Sequence, residues 1–309
     1  MADRVPRIVV VGSANVDMIV RVPRLPARGE TVLGDAFHTT PGGKGANQAV
    51  AARRAGADVA FVGCLGADAL GDGLLRSLRD AGVDVAHVTR VPDAATGVAL
   101  ITVDPGGDNT IAVASGANAV LSPSHVERAA GAIAAADMLL LQLESPPDAV
   151  EAALGVAARG GTRAVLNPAP APAQALDRRL LGAVAALTPN RAEAARLAGV
   201  ADDDPDAAAT ALLALGVGAA VVTLGADGAL VATPGGRHHL PAFAVRAVDS
   251  TGAGDVFSGA LAVALAEGRP VLDAARFANA AAALSVTRPG AQPSAPPRDE
   301  ILELVHRHA

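Results

Sequence analysis

Met138-Leu-Leu-Leu-Gln-Leu143 is an apolar strand pattern, and the segments directly after it decide the fold class. A helical run covers 147–159, and a second strand pattern, Arg163-Ala-Val-Leu-Asn167, comes next. A strand–helix–strand order is typical of parallel strands joined by a crossover helix. The same alternation continues along the chain and predicts strands at 7–11, 58–63 and 219–224, and helices at 44–55, 71–81, 190–198, 205–215, 254–267, 271–286 and 298–307. We therefore expect a mostly parallel sheet with helices on both faces.

Two parts of the chain break this alternation, because extended stretches succeed one another there without a helix. The stretches are 16–22 and 31–39 in the first part, and 96–103 and 110–113 in the second. The second pair flanks the turn Pro105-Gly-Gly-Asp-Asn109, which predicts a hairpin. We expect a small antiparallel sheet inserted from about 14–40 and 96–114. It is either a lid over a site or a mere extension of the main sheet.

Composition narrows the class of protein. The 309 residues carry a net charge of −6 with dispersed basic residues, which does not favour a nucleic-acid-binding protein. The single cysteine, Cys64, excludes an internal disulfide and a cysteine metal cluster. No signal-peptide pattern is present, and no apolar run approaches the ~20 residues that a membrane helix needs. We expect one catalytic domain over 1–309, located in the cytoplasm.

The loop Asp249-Ser-Thr-Gly-Ala-Gly-Asp255 precedes a helical run. Small residues at a helix start leave backbone N–H groups free to meet a phosphate or a developing negative charge. An aspartate beside such a loop could accept the proton of a substrate hydroxyl. Asp255 could equally be an ordinary N-cap of the helix, and its position in the sequence does not separate the two interpretations.

Other phosphate-binding loops are excluded. A Walker A loop needs Gly-Lys-Ser/Thr, but the lysine here stands in Gly43-Lys44-Gly45. A dinucleotide loop needs a third glycine where this chain has Phe257. Lys44 is the only lysine among 25 basic residues, so its place between two glycines suggests a position that needs a slim cation. Asn47 comes one helical turn later and could join Lys44 in binding hydroxyls or phosphate.

Further polar side chains come directly after predicted strands, where open α/β sheets usually bind ligands. Glu144 follows the strand that ends near Leu143, and Asn190 with Glu193 begins a helix. Capping alone explains the Asn190–Glu193 pair, and magnesium-phosphate binding is the alternative. Asn15 and Asp17 lie on one side of an extended stretch, which suits either hydroxyl recognition or a solvated face.

Together these motifs resemble the ribokinase family of carbohydrate kinases, in the superfamily that also holds adenosine kinase and the minor phosphofructokinase. The segments Gly42–Ala49 and Asp249–Asp255 are similar to the two signatures of that family. Further similar stretches lie at 12–17, 141–146, 167–170 and 287–294. The resemblance covers nearly the whole chain, and its ordered motifs are more specific than any one of them.

The resemblance implies a three-layer α/β/α fold with a mostly parallel sheet and a small antiparallel β lid. It also implies transfer of the γ-phosphate of ATP to O5 of ribose. Asp255 would be the base, and the anion hole would comprise Gly252, Ala253 and Gly254. The sugar would be bound, besides Asp255, by Asn15, Asp17, Gly43, Lys44, Asn47 and Glu144.

The same resemblance implies residues for the nucleotide and the ions. The nucleotide would be bound by Asn190, Thr223, Leu224, Gly225, Ala226, Asp227, Gly228, Gly254 and Asn279, although the family often has histidine at the last position. Asn190 and Glu193 would help to place Mg²⁺. A monovalent cation, normally K⁺, would be held by Asp249, Thr251, Ser285, Arg288, Gly290 and Ser294, several of them through backbone carbonyls. A homodimer through the lids is also implied, since open sheet edges tend to be covered.

Two rival functions remain from the sequence. The first is a nucleoside kinase of the same superfamily; its substrate is usually gripped by aromatic stacking, but the chain has five Phe and no Trp or Tyr. The second is a catalytically silent sugar-binding regulator. Retention of Asp255, the glycine loop and Lys44 argues against it.

Overall fold

The computed structural model describes residues 4–172, 178–201 and 204–308. The strands within these ranges are β1 Arg7–Val11, β2 Asn15–Arg21, β3 Ala36–Gly42, β4 Asp58–Gly66, β5 Asp84–Val91, β6 Gly97–Val103, β7 Asn109–Ala114, β8 Met138–Gln142, β9 Arg163–Asn167, β10 Val184–Leu187, β11 Ala220–Thr223, β12 Ala229–Thr233 and β13 Gly236–Leu240. The helices are α1 Lys44–Arg54, α2 Ala69–Asp80, α3 Pro123–Arg128, α4 Ala130–Ala134, α5 Pro147–Gly160, α6 Arg178–Leu181, α7 Arg191–Ala198, α8 Pro205–Leu213, α9 Ala253–Ala266, α10 Val271–Ser285 and α11 Arg298–Arg307.

Nine strands form the main sheet, in the order β13-β12-β11-β10-β9-β8-β1-β4-β5. The seven strands from β11 to β5 are mutually parallel, and β12 and β13 add an antiparallel edge. The predicted mostly parallel sheet is therefore confirmed. Because side chains alternate along a strand, neighbouring residues enter different cores: Val10 and Leu140 pack on one face, and Val9 and Leu139 on the other.

Helices cover both faces of this sheet, which confirms the three-layer arrangement. Buried residues of α1, α2, α9, α10 and α11 belong to the core on one face. Buried residues of α3, α4, α5, α7 and α8 belong to the core on the other. In the described part of the chain, no helix combines the length and the apolar content needed to cross a bilayer.

The lid sheet is a separate four-stranded sheet in the order β3-β2-β6-β7. Its outer pairs, β2–β3 and β6–β7, are antiparallel as predicted, but the central pair β2–β6 is parallel. The reason is that β2 follows β1 and β6 follows β5. Since β1 and β5 are parallel, both lid strands start from the carboxyl ends of the main-sheet strands. The stretch predicted at 31–39 begins and ends later, at Ala36–Gly42, because pairing with β2 fixes its register.

Seven elements were not predicted from the sequence: β5, β10, β12, β13, α3, α4 and α6. Of these, β5 and β13 show why. Asp84–Val91 has no fully buried residue, and Gly236–Leu240 places three exposed residues in its centre. Edge strands need little apolar patterning, because one side of each meets solvent. Their existence depends on the neighbour that supplies the hydrogen bonds.

Candidate active site

Two adjoining cavities lie at the carboxyl ends of the central parallel strands, the usual ligand position in such sheets. The larger, about 380 Å³, lies beneath the lid sheet and is lined by Asn15, Val113, Asn118 and Glu144 among others. The smaller, about 180 Å³, is lined by residues from five segments: Lys44, Asn167, Ala169, Thr188, Asn190, Glu193, Thr223, Ser250, Gly252, Ala253, Gly254 and Asp255. The backbone N–H of Lys44 donates to Glu144 Oε2 at 3.1 Å, which links the walls of the two cavities.

The glycine loop ends at the start of α9. Gly252 is the N-cap of that helix, with φ of 74°, and a Cβ there would lie 2.8 Å from the Cβ of Ala291. Both observations require glycine at this position. The N–H of Ala253 donates to the Ser250 carbonyl oxygen at 3.2 Å. The next N–H groups of the first turn have no acceptor within the helix, so they are the donors left for an anion.

Asp255 does not cap α9, because the cap is Gly252 and the carboxylate of Asp255 points to another helix. Asn47 Nδ2 donates to its Oδ2 at 2.9 Å, and Gln48 Nε2 to its Oδ1 at 3.0 Å. Asp255 is only 6% exposed. Burial raises the pKa of Asp255; Lys44 and the two amides lower it and Glu144 raises it, and the net shift is upward. A buried carboxylate with a raised pKa is poised to accept a proton.

Lys44 lies among the carboxylates of Asp255, Glu144, Glu193 and Asp17. Burial alone lowers the pKa of the Lys44 ammonium, but these four charges outweigh it and the pKa is raised. The only lysine of the chain is therefore a permanent cation at the junction of the two cavities. It compensates negative charge that the site would otherwise hold unpaired.

Asn15 and Asp17 lie on the same face of β2, and both are buried. Asn118 Nδ2 donates to Asn15 Oδ1 at 2.7 Å, which turns the amide N–H₂ of Asn15 away from Asn118. Burial raises the pKa of Asp17 to about 6, with Glu144 and Asp255 adding to the shift and Lys44 opposing it. The solvated-face interpretation of this pair is wrong, because neither side chain faces bulk solvent.

Glu144 joins the end of β1 to the start of α1. Ser13 Oγ donates to Glu144 Oε2 at 2.6 Å, beside the bond from the Lys44 N–H. Gly43 makes this approach possible: its φ is 86°, and a Cβ there would lie 2.6 Å from the backbone nitrogen of Asn15. Gly43 itself is the N-cap of α1 and lines neither cavity. Its role is to let the start of α1 lie against the backbone at Asn15, where a side chain would not fit.

Asn190 and Glu193 form a capping box at the start of α7 and also line the smaller cavity. Asn190 Oδ1 accepts from the Glu193 N–H at 2.8 Å, and Glu193 Oε2 accepts from the Asn190 N–H at 2.9 Å. The capping interpretation is therefore confirmed, and magnesium-phosphate binding by the pair stays a prediction. Burial raises the pKa of Glu193, although its bond from Asn190 and the charge of Lys44 lower it. Carboxylate and amide oxygens are ligands that suit Mg²⁺, which usually keeps several waters, so the pair fits an indirect metal contact.

The loop around Asp249 is tied to a second loop at 288–294. Asp249 Oδ1 accepts from the Thr251 N–H at 2.9 Å, and Oδ2 from the Gly290 N–H at 2.7 Å. The Arg288 side chain forms an ion pair with Glu300, so any contact of Arg288 with a cation would come from its backbone. The hydroxyls of Ser285 and Ser294 donate to the carbonyls of Ala282 and Ala291. The carboxylate of Asp249 thus joins the two loops that carry most of the six residues expected around a monovalent cation. The joined loops lie next to the start of α9.

Other expected nucleotide residues line neither cavity. Residues 224–228 form the turn between β11 and β12, beyond Thr223. Asn279, in α10, donates to the Pro241 carbonyl at 2.9 Å and is buried. The structure therefore brings together Lys44, Asn190, Glu193, Thr223 and 252–255, and leaves this second group outside the cavity wall.

Five further residues of the site were not predicted from the sequence: Ser13, Gln48, Asn118, Asn167 and Thr188. Ser13 and Gln48 stand inside motifs already recognised, at 12–17 and 42–49, so their position was a usable signal. Asn167 and Thr188 lie at the ends of β9 and β10, where polar residues at strand ends are a signal, and Asn167 also stands inside the similar stretch at 167–170. Asn118, in a short turn at 116–120, has no such signal.

Comparisons with known proteins identify a family and similar chains. Residues 5–298 match the model of the pfkB family carbohydrate kinases. The chain is 42% identical over 299 residues to a ribokinase of Haemophilus influenzae, covering 96% of this chain and 97% of the relative. It is 38% identical over 299 residues to a deoxyribokinase of Salmonella typhi, with 96% and 97% covered.

A solved structure is similar over the same extent. It is ribokinase of Arabidopsis thaliana, complexed with ribose and ATP. The TM-score is 0.88 at 34% identity, with 98% of this chain and 99% of that chain covered.

Proposed function

The chain belongs to the pfkB family of carbohydrate kinases, and we propose that it transfers the γ-phosphate of ATP to O5 of D-ribose, giving ribose 5-phosphate and ADP. The observation that carries this proposal is Asp255, a buried carboxylate held at the first turn of α9 beside the glycine loop and Lys44. Ribokinases are among its relatives, and one of them was solved with ribose and ATP.

The sugar occupies the larger cavity, where the wall offers hydroxyl-binding groups and no aromatic ring in the described residues. Asn15 and Glu144 line this cavity and bind the sugar hydroxyls. Lys44, on the wall of the smaller cavity, binds them as well, together with Asp17 and Asn47, which line neither wall. Support comes from Asn47 Oδ1, a buried acceptor with no partner in the described part of the chain. A buried acceptor without a partner is costly, so a ligand hydroxyl would supply what it lacks.

The phosphates of ATP enter the smaller cavity, and Asp255 acts as the base. Its carboxylate takes the proton of the hydroxyl as the sugar oxygen forms a bond to the γ-phosphorus and the bond to the ADP oxygen breaks. The free N–H groups at the start of α9 and the Lys44 ammonium face the charge of the transferring group. Alignment and charge neutralisation supply most of the acceleration in such reactions.

The nucleotide extends from this cavity past Thr223 along residues 224–228 toward Asn279. Asn190 and Glu193 help to hold Mg²⁺, which neutralises phosphate charge when bound. The monovalent cation lies at the joined loops of Asp249, Thr251, Ser285, Arg288, Gly290 and Ser294. Support for that cation is the carboxylate of Asp249, whose oxygens each accept one N–H and retain acceptor capacity.

The chain acts as one catalytic unit over 1–309, with the lid sheet closing over the sugar and a second copy packing on the lid. Exposed apolar side chains of the lid sheet support the dimer: Phe37 and Leu100 lie on one face and Ile111 on the other, and each is more than half exposed. The location is the cytoplasm, where ATP is available.

Deoxyribose is the second candidate substrate, because a deoxyribokinase is 38% identical to the chain. A nucleoside is less well supported: the buried rings are Phe61, Phe243, Phe257 and Phe277, and Phe37 is 63% exposed on the lid sheet. None of the five lines a described cavity wall.

The test is ADP formation from ATP and Mg²⁺ with ribose, deoxyribose, fructose and adenosine, in K⁺ and in Na⁺. We expect the highest kcat/KM with ribose, and a lower rate in Na⁺. A higher kcat/KM with deoxyribose or adenosine would identify that compound, instead of ribose, as the substrate. Ribose binding without turnover of any compound would favour the catalytically silent sugar-binding regulator. Equal rates in K⁺ and in Na⁺ would contradict the proposed potassium site.

A further inference from the structure

A buried chain of side-chain amides lies beside Asp255 and reaches the wall of the smaller cavity at Asn167. Gln48 Nε2 donates to Asp255 Oδ1 at 3.0 Å and to Asn167 Oδ1 at 3.1 Å. Gln48 Oε1 accepts from Gln142 Nε2 at 2.7 Å. Asn167 Nδ2 in turn donates to the Thr188 carbonyl oxygen at 2.7 Å. Gln48 is fully buried, so all of its hydrogen-bonding capacity is used inside the protein.

The orientation of the Gln48 amide is set by the chemistry of its partners. An ionised carboxylate only accepts hydrogen bonds, so the N–H₂ group of Gln48 must face Asp255. Its oxygen then faces the opposite way and needs a donor, which Gln142 of β8 supplies. The amide is therefore held from both ends and cannot turn over without breaking three hydrogen bonds.

The backbone beneath Gln48 is fixed as well. Helix α1 packs directly on α9, where a Cβ at Gly259 would lie 2.8 Å from the Gln48 carbonyl oxygen. The approach of the two helices sets the distance between the Gln48 amide and the Asp255 carboxylate. Neither element has room to shift without displacing the other.

We infer that Gln48 is a positioning residue: its amide holds the Asp255 carboxylate in one orientation toward the substrate hydroxyl, an inference that rests on the proposed function. Asn47 binds the other carboxylate oxygen, whereas Gln48 donates to Asp255 and to Asn167 of the amide chain. Gln48 lines neither cavity, so it acts on the reaction through Asp255 and through Asn167, which lines the smaller cavity.

The charges around Asp255 give this role a measurable signature. Burial raises the pKa of Asp255, and the donation from Gln48 is one of the contacts that lower it. The other charged groups near it are Lys44, Glu144, Asp17 and Glu193. Removing the Gln48 donor leaves all four in place, so a change in the pH profile reports the lost hydrogen bond.

The test is Gln48→Met, which keeps the length of the side chain and removes its donor. We expect kcat for ribose to fall about 10- to 100-fold, as for a lost hydrogen bond to a charged group, with KM for ATP little changed. The acidic limb of kcat/KM should move to higher pH by about one unit. The matched control is Gln142→Met, which breaks the same amide chain but leaves the bond to Asp255, so its acidic limb should stay in place.

Equal pH profiles for the wild type and Gln48→Met would overturn the inference, and so would equal shifts in both variants, because the role of Gln48 would then be structural only. If Gln48→Met does not fold, Gln48→Leu makes the same test, because it removes the donor without adding a charge, and the acidic limb should again move upward. An inactive wild type would overturn the proposed function itself, whereas an active wild type with an unshifted Gln48 variant overturns only this inference.

Discussion

Asn47 Nδ2 donates to Asp255 Oδ2 at 2.9 Å across 208 residues of sequence. The bond joins the first turn of α1 to the first turn of α9, and so joins the two glycine-containing motifs of the chain. Lys44 begins the same turn of α1, so one helix start carries the cation and the amide that face the carboxylate. Changing one group of this junction or its surroundings at a time should therefore have separable effects.

Asp255→Asn should abolish most of the activity while leaving ribose binding. The variant keeps the shape of the side chain but loses the group that accepts the proton, so we expect kcat to fall by ~10²–10⁴. Steady-state ADP formation measures this loss, and calorimetry with ribose measures binding. A variant with near-normal kcat would exclude Asp255 as the base.

Lys44→Met should move the acidic limb of kcat/KM to higher pH and weaken ribose binding. The charge of Lys44 lowers the pKa of both Asp255 and Asp17, so without it both carboxyls hold their protons to higher pH. Rates measured between pH 5 and 9 report the shift. Arg307→Met, an exposed change of the same charge at the end of α11, is the control and should leave the profile unchanged.

Asp17→Asn should stabilise the fold while weakening ribose binding. The pKa of Asp17 in the folded state is about 6, above its ordinary 3.8, so the ionised form destabilises the folded state. The gain from the variant should be present above pH 6, at most about 3 kcal/mol, and should vanish as pH falls below 4. Urea unfolding at pH 7 and at pH 4 measures it, with Asp80→Asn on the surface as control. A variant less stable than the wild type at pH 7 would contradict the assignment.

Gly252→Ala should destabilise the loop and remove activity. The new Cβ would meet Ala291, and the φ of 74° is unfavourable for alanine, so we expect a loss of about 1–3 kcal/mol. Gly73→Ala in α2 has open space around its Cβ and should be neutral or slightly stabilising. Thermal unfolding separates the two variants. Equal stability of Gly252→Ala and wild type would show that the loop adapts.

Ile111→Arg should convert a dimer to a monomer. Ile111 is 57% exposed on β7, the edge strand of the lid sheet, and a charge there opposes packing of a second lid. Size-exclusion chromatography with light scattering gives the mass of each form. Val5→Arg places the same charge on an exposed apolar residue outside the lid sheet and should not change the mass. A monomeric wild type would refute the lid dimer.

Much of the fold was predictable, because burial on both faces of a parallel sheet leaves short apolar runs between helices. Met138–Gln142 and Arg163–Asn167 are such strands, and the helix between them begins at Pro147 as expected. Strands β5 and β13 were not predicted, because exposed edges do not require that pattern. The parallel pairing of β2 with β6 was also missed, since it depends on both strands starting from the carboxyl ends of parallel strands in the main sheet.

The sequence by itself determined the alternation of strands and helices, the glycine loop before α9 and the isolation of Lys44 between two glycines. These are local properties, fixed by side-chain periodicity and backbone conformation over a few residues. The tertiary structure alone decided that Asp255 does not cap its helix, and that Asn47 and Gln48 bind its carboxylate. The reason is that these contacts require α1 and α9 to pack together, and the local sequence of either segment does not specify which residues of the other it will meet.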